Sequence, residues 1–168
     1  MDNNNVEELK MDFCDWIEAK IAEDDNFGVD PSTVNLVDMD TFNKEYEDKD
    51  EENFLRVQTL YRYESSHYDN TNVGPNTRDF CQRMVRLTGL RMLTFNEITF
   101  YNNANPGFGK DGAATYSVFN WRGGPNCRHH WTKYLFDPNT RNVVKAPDQP
   151  TQVSVNGRVP YANGTLRP

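Results

Sequence analysis

The sequence lacks the features that would place the chain in a membrane or direct it out of the cell. No stretch of about twenty apolar residues, the length of a membrane-spanning helix, occurs anywhere in its 168 residues. The N-terminus also lacks a basic segment followed by an apolar run, which is the pattern of a secretory signal. We therefore expect a protein that neither spans a membrane nor is secreted through a classical signal.

Three other patterns are missing, and each absence argues against a class of function. The three cysteines include no Cys-x-x-Cys pair, which excludes a standard zinc finger. A zinc deaminase is excluded as well, because it needs a Pro-Cys-x-x-Cys segment and a catalytic Glu after a metal-binding residue. Arg and Lys are scattered rather than clustered, so nucleic-acid binding is not indicated.

Aromatic side chains, by contrast, are plentiful. Ten Phe, eight Tyr and three Trp offer large apolar areas for burial, although only 36% of the residues are hydrophobic. A chain of 168 residues has room for one domain with a modest core. We expect one folded body that carries polar extensions.

Charge is distributed unevenly along the chain. Residues 1–52 contain 18 Asp or Glu against 4 Lys, whereas residues 53–168 contain 7 acidic residues against 14 basic ones. We therefore divide the chain into an acidic helical arm (1–52), a body (53–145) and an extended tail (146–168). The arm is either a solvated segment that keeps the protein soluble or a docking element for other subunits and copies of itself. We expect the chain to remain folded without the arm.

Hydrophobic periodicity predicts an α+β fold, with a small antiparallel sheet and short helices. Apolar residues at three- and four-residue steps indicate helices, and alternation of apolar and polar residues indicates strands with one buried face. Thr77 is the candidate N-cap of the third helix, and Thr94 with Glu97 has the capping-box spacing for the fourth. The predicted helices cover 6–22, 41–47, 77–89 and 94–101, and the predicted strands cover 54–63, 116–121, 131–136 and 142–145, the last two as a hairpin.

Cysteines and histidines in two short motifs carry the most distinctive chemistry. Cys81 follows Thr-Arg-Asp-Phe at the start of the third helix, and Cys127 and His129 follow a Gly-Gly turn. Thiolate and imidazole are ligands that zinc prefers, and His67 could complete a tetrahedral set. The two cysteines could instead be buried small hydrophobes, or a disulfide, which a reducing cytoplasm disfavours.

Other residues near these motifs have simpler interpretations. By spacing, His129 is the expected ligand, and His130 is expected to point to the other face or to donate a hydrogen bond to a carbonyl. Cys14 on the first helix is expected to serve only in packing. Trp121 and Trp131 flank the glycine turn and are expected to anchor the core rather than to stack on bases.

The two motifs together resemble a known protein family. A Thr-Arg-x-Phe-Cys helix start (77–81), followed further along by Gly-Gly-x-Asn-Cys-x-His-x-Trp (123–131), is similar to the C-terminal domain of Mu F-like phage minor head proteins. In particular, the chain resembles versions from phages and prophages of Bacteroidetes hosts, crAss-like phages among them. The resemblance covers residues 54–136 and includes Tyr-Arg-Tyr at 61–63 and Asn-Pro-Gly-Phe-Gly at 105–109.

This resemblance implies a structural protein of a tailed-phage virion that acts in head or head–tail assembly and is not an enzyme. Cys81, Cys127 and His129 match the family's Cys and His pattern, and a zinc ion bound there would be structural. The implied partners are capsid, portal or connector subunits and further copies of the chain. Assembly would take place in the cytoplasm of the host bacterium, away from membranes.

An enzymatic alternative stays open. A cysteine at a helix start has a lowered pKa, and a later histidine can serve as its base, as in cysteine hydrolases that cleave peptides or peptidoglycan. Cys81 with His129 or His130 would form such a dyad. The sequence lacks the local nucleophile signatures of those enzymes, and Cys127 next to the histidines suits a metal better.

Overall fold

The computed structural model describes residues 13–44, 56–65, 74, 77–100, 117–123 and 127–150. These residues form helices α1 (Phe13–Glu23), α2 (Met39–Lys44), α3 (Asp79–Leu90), α4 (Phe95–Thr99) and α5 (Val118–Trp121), and a 3₁₀ turn at Pro31–Thr33. They also form strands β1 (Asn35–Leu36), β2 (Gln58–Ser65), β3 (His129–Phe136) and β4 (Asn142–Lys145). Within these ranges, no helix has the length and apolarity that a membrane crossing requires.

The strands make one sheet in the order β1–β4–β3–β2. β2 and β3 pair antiparallel along their whole lengths, from Gln58 opposite Phe136 to Ser65 opposite His129. β3 and β4 form the predicted hairpin, and β1 adds to β4 in parallel. The fold is therefore α+β with a mostly antiparallel sheet. β1 was not predicted, because two residues are too short to show alternation.

The β2–β3 pair separates two apolar clusters on its opposite faces. This follows from the alternation of side chains along each strand. The smaller cluster gathers Leu60, Met92, Phe136 and Val143. The larger cluster lies between the sheet and helices α1 and α3 and contains most of the buried aromatic rings: Phe13, Trp16, Phe27, Tyr61, Tyr63, Phe80 and Trp131.

Helix α3 packs on β2 through the apolar stripe that the sequence predicts. Phe80, Met84 and Leu87 are all buried. Thr88 adds a polar link between the two elements, because its hydroxyl donates to the Met84 carbonyl at 2.8 Å and accepts from the Tyr63 amide at 2.9 Å. Both hydrogen bonds are buried, which fixes the position of α3 along β2.

The predicted helix caps were right in one case and wrong by one residue in the other. The capping box of α4 is confirmed: the Thr94 side chain accepts from the Glu97 amide, and the Glu97 carboxylate accepts from the Thr94 amide. That carboxylate also accepts from the Gly28 amide at 3.0 Å. At α3 the N-cap is Arg78 rather than Thr77, and Arg78 makes no side-chain cap bond. The Thr77 hydroxyl accepts a hydrogen bond from a backbone amide before the helix.

Helix α1 lies in the main core. Its side chains Phe13, Cys14, Trp16 and Ile17 are each at most 4% exposed and belong to the cluster that contains Tyr63 and Trp131. The apolar stripe needed a surface to cover it, either the protein's own body or a neighbouring subunit. In the structure, the protein's own body covers the buried side chains of this stripe.

Ion pairs accompany this packing at the solvent edge. Arg83 of α3 bonds the Asp15 carboxylate and lies 3.6 Å from that of Glu18, and Arg86 lies 3.4 Å from Glu18. The acidic side of α1 therefore faces basic residues of the body, in keeping with the opposite net charges of the two segments.

The predicted boundary at residue 52 separates segments that share one core. Residues 1–12 and 45–55 lie outside the described residues, so the full extent of the arm stays a prediction. The burial of four α1 side chains nevertheless reverses our expectation for the truncated chain, since deletion of 1–52 would expose apolar surface of the body. In the predicted tail, Ala146 is buried and its amide donates to the Lys133 carbonyl, and residues 151–168 lie outside the described residues.

The predicted strand over 116–121 is wrong. Val118–Trp121 form the single-turn helix α5, in which the Ser117 side chain accepts from the Asn120 amide. The Val118 carbonyl accepts a hydrogen bond from the indole of Trp131 at 3.2 Å, which holds the turn against the sheet. Over so few residues, alternation does not distinguish a strand from a helical turn.

Candidate metal centre

Cys81, Cys127 and His129 meet at one end of the β2–β3 pair. Cys81 lies in the first turn of α3, Cys127 precedes β3, and His129 is the first residue of β3. Their ligand atoms, two sulfurs and an imidazole nitrogen, all lie within 4.8 Å of one another. The three residues are therefore close enough to bind one metal ion.

The distance between the two sulfurs suits a bound ion. Cys81 Sγ and Cys127 Sγ are 3.7 Å apart. Two thiolates, each about 2.3 Å from a tetrahedral ion, would be about 3.8 Å apart, whereas a disulfide requires about 2.05 Å. Two sulfurs and an imidazole are donors for soft or borderline metals. The donor set and its spacing fit such an ion without rearrangement of the sulfurs.

Tyr63 of β2 contacts all three of these residues. Its hydroxyl lies 3.4 Å from Cys81 Sγ and 3.2 Å from Cys127 Sγ. Its ring stacks on the His129 imidazole at 5.3 Å between centroids, with only 5° between the planes. Tyr63 is fully buried. Its position on β2, the edge strand that pairs with β3, thus links the core to the candidate metal ligands.

The chain also provides a backbone hydrogen bond to one sulfur. The His129 amide donates to Cys127 Sγ at 3.4 Å. Such a bond stabilises negative charge on sulfur, and a metal-bound cysteine is a thiolate. The two-residue spacing of Cys127 and His129, which is unusual for a zinc finger, therefore has two effects. It places two ligands together, and it lets the His129 amide donate to the Cys127 sulfur.

The surroundings shift the pKa values of the two thiols in opposite directions. The hydrogen bond between the two cysteines, together with burial, raises the pKa of Cys81. The same bond, with further donors on His129 and Tyr63, lowers the pKa of Cys127. Burial, and then the two cysteines, raise the pKa of Tyr63 well above its usual value, so its hydroxyl keeps its proton. Cys127 is thus the sulfur that becomes negative first.

Gly123 packs directly against both sulfurs. A Cβ at this position would overlap Cys81 Sγ and lie 3.0 Å from Cys127 Sγ. The Gly123 carbonyl accepts a hydrogen bond from the Arg78 guanidinium, one turn before Cys81. The arginine and the glycine therefore hold the segment before β3 against the start of α3.

The structure places the other predicted residues as follows. His67 lies outside the described residues, so a fourth ligand there stays a prediction. His130 is opposite Glu64 on the strand pair and is not part of the cluster, and burial lowers its pKa. Cys14 is buried in the core and Trp131 anchors it, as expected, while the Trp121 side chain lies outside the described residues.

Tyr63 and Gly123 also belong to this site, although the sequence did not predict their contacts with it. Alternation along β2 predicts that Tyr63 is buried, and a buried tyrosine hydroxyl needs a hydrogen-bond partner. Nothing in the sequence says which partner it finds. Gly123 was predicted as a turn residue and belongs to the second motif, but its contact with the sulfurs, which its lack of a side chain allows, was not predicted.

Comparison with known proteins found no matching family model, and neither the curated protein sequences nor the solved structures that were compared gave a significant match.

Proposed function

We propose that this chain is a structural protein of a tailed-phage virion, of the Mu F-like head-morphogenesis type, with a zinc ion that stabilises its fold. The observation that carries the proposal is the cluster of Cys81, Cys127 and His129, whose ligand atoms lie within 4.8 Å of one another. A metal bound there would connect the start of α3 to the start of β3. Structural zinc sites contribute directly to folding in this way.

Zinc is the metal that best suits these donors. It is commonly bound by cysteine thiolates and histidine in four-coordinate sites, and the sulfur separation of 3.7 Å agrees with tetrahedral geometry. His67 is the proposed fourth ligand, since it is the remaining histidine of the sequence outside the His129-His130 pair. The Tyr63 hydroxyl and the His129 amide would act on the bound sulfurs from outside the ligand set.

The virion assignment rests on the two motifs that resemble the phage family. The cluster contains the cysteine of the first motif and the cysteine and histidine of the second, so the resemblance and the geometry concern the same residues. Capsid, portal or connector subunits and further copies of the chain are the proposed partners, and the uneven charge of the chain favours docking between complementary surfaces.

A cysteine hydrolase is the alternative, and the position of Cys81 at a helix start is what favours it. A nucleophilic cysteine needs an exposed thiolate with a lowered pKa. Cys81 is only 2% exposed, and its pKa is raised. Both observations support the structural role over the hydrolase.

Elemental analysis of the purified chain tests the metal. The protein is produced without a metal-binding tag, and zinc is counted per chain in the wild type, in Cys127→Ser and in Cys14→Ser. The Cys14 variant is the matched control, because Cys14 is a buried cysteine outside the cluster. We expect one zinc per chain in the wild type and in the control, and none in Cys127→Ser. A wild-type protein without metal contradicts the zinc site.

Two further measurements test the structural role. Particles produced by cells that carry the gene should contain the chain in fixed proportion to the major capsid protein. Its absence from particles, while it is abundant in the lysate, contradicts the virion assignment. Rapid, selective alkylation of Cys81 by iodoacetamide near neutral pH, together with lysis of host cell-wall material, would establish the hydrolase instead.

A further inference from the structure

The two cysteines of the cluster differ in their access to solvent. Cys81 is buried, Cys127 is partly exposed, and neither is in a disulfide. Their sulfurs are 3.7 Å apart although the residues are 46 positions apart in sequence. Cys14, the remaining cysteine, is buried in the core and is not part of the cluster. The cluster therefore combines one accessible sulfur with one sheltered sulfur in direct contact.

We infer that Cys81 and Cys127 are also a redox modification site, which a peroxide oxidises to a disulfide with loss of the metal. The inference rests on the proposed function only for the metal that is released and for the passage of the chain out of the cell in a particle. The pairing itself follows from the contact between the sulfurs and the partial exposure of Cys127.

The reaction proceeds in two steps that balance. Cys127 Sγ attacks one oxygen of hydrogen peroxide, the O–O bond breaks, and the departing hydroxide takes a proton to become water, which leaves a sulfenic acid on Cys127. Cys81 Sγ then loses its proton and attacks the Cys127 sulfur. The S–S bond forms, the S–O bond breaks, and a second water leaves. One peroxide is reduced and two thiols are oxidised.

The geometry favours this second step over further oxidation of Cys127. The attacking sulfur is already in contact with its target, and closure requires the sulfurs to approach from 3.7 Å to about 2.05 Å. A sulfenic acid next to a second cysteine condenses to a disulfide. Gly123 places no side chain beside the sulfurs that would obstruct this movement.

The metal and the disulfide exclude each other, because a disulfide has no thiolate to bind a metal. Each form, however, connects the same two elements, α3 and the start of β3. In a reducing cytoplasm the thiols remain available for metal, and outside the cell oxidation is favoured. A protein that leaves the cell in a particle would thus exchange a metal cross-link for a covalent one at the same place.

The experiment uses the full wild-type chain in metal-free and zinc-loaded forms. Each form is treated with hydrogen peroxide in slight excess, and intact mass, zinc release and a peptide map without reduction are measured. We expect the mass to fall by two hydrogen atoms, the map to join the peptides of Cys81 and Cys127, and the loaded form to release one zinc per disulfide. The metal-free chain should unfold at a higher temperature after oxidation than before it.

Variants and outcomes separate this inference from the zinc site. Cys14→Ala should still form the disulfide, whereas Cys81→Ser should accumulate oxygen on Cys127 instead. A chain that binds zinc but gains only oxygen atoms under peroxide overturns the redox inference and leaves the zinc site intact. A chain that binds no zinc but forms the Cys81–Cys127 disulfide supports the redox inference and overturns the zinc site. A disulfide that involves Cys14 overturns the inference as well.

Discussion

Two segments that are distant in sequence pack on helix α3, and they attach to it by different chemistry. Helix α1 contacts α3 and buries Phe13, Cys14, Trp16 and Ile17 in the core that the two helices share. Gly123, Cys127 and His129 meet the first turn of α3 through a glycine backbone, sulfur and imidazole. Burial of apolar surface is favourable wherever water is the solvent, whereas the contact at the sulfur cluster would depend on the proposed metal and on the oxidation state of the two thiols. The contact between α1 and α3 should therefore persist under all conditions in which the chain is folded. The contact at the sulfur cluster should change with metal and with oxidation state.

The largest effect should come from removing α1. Burying four side chains of this kind is worth about 1.5 to 3 kcal/mol each, or about 6 to 12 kcal/mol together, which is comparable to the total stability of a typical domain. We expect a chain without residues 1–52 to be unfolded or aggregated, as circular dichroism and sedimentation would show. A truncated chain with a cooperative unfolding transition would contradict this expectation and would support the predicted domain boundary at residue 52.

A point variant gives a finer test of the same attachment. Ile17 is fully buried, and Ile17→Ala should cost about 2 to 5 kcal/mol in the free energy of unfolding. Glu23→Ala, at an exposed position of the same helix, is the matched control and should change it by less than about 0.5 kcal/mol. Equal effects of the two substitutions would show that α1 is not part of the core.

Metal removal tests the second attachment. If the proposed zinc ion is bound, its chelation, or the substitution Cys127→Ser, should lower the free energy of unfolding by several kcal/mol, because a metal held by this cluster would stabilise only the folded chain. Urea titrations with and without chelator measure the difference. Chelator should have no effect on Cys127→Ser, and a chelator effect that persists in this variant would place the metal elsewhere.

A smaller effect is expected from replacing a glycine beside the sulfurs by alanine. Gly123→Ala puts a Cβ against both sulfurs, so it should weaken zinc binding by about 10- to 100-fold and destabilise the chain by about 1 to 3 kcal/mol. Gly89→Ala in α3 is the matched control. Its Cβ would meet only an Arg62 side-chain atom at 3.5 Å, and alanine favours the helix by about 0.5 to 1 kcal/mol. Zinc titrations and urea unfolding of both variants check these values.

The smallest effect should come from the ion pairs beside α1. Arg83→Gln removes the bonds to Asp15 and Glu18, whose side chains are more than half exposed, and should cost about 0.2 to 1 kcal/mol. This cost should shrink in about 1 M salt, where the Debye length is about 3 Å. Arg128→Gln changes the same charge at an exposed position and should cost less at low salt. A loss that salt leaves unchanged would mean that Arg83 acts mainly by packing.

The sequence predicted elements best where the pattern was long or chemically specific. The apolar stripe of α3, the alternation of β2 and the β3–β4 hairpin were all found. The capping box of α4 was found because two named side chains at fixed spacing satisfy each other's amides. The single turn of α5 and the two-residue strand β1 were wrong or missed, because each is shorter than the period needed to identify it.

For the candidate site, the sequence by itself determined the ligand types, since thiol and imidazole chemistry belongs to Cys81, Cys127 and His129 wherever they lie. It also determined that α1 must bury an apolar stripe, because burial depends on residue type and spacing. Only the tertiary structure decided what covers that stripe, and that Tyr63 and Gly123 surround the sulfurs. The physical reason is that hydrophobic burial is non-directional. A pattern therefore specifies which face leaves water, while the packing of the whole chain selects the surface that it meets.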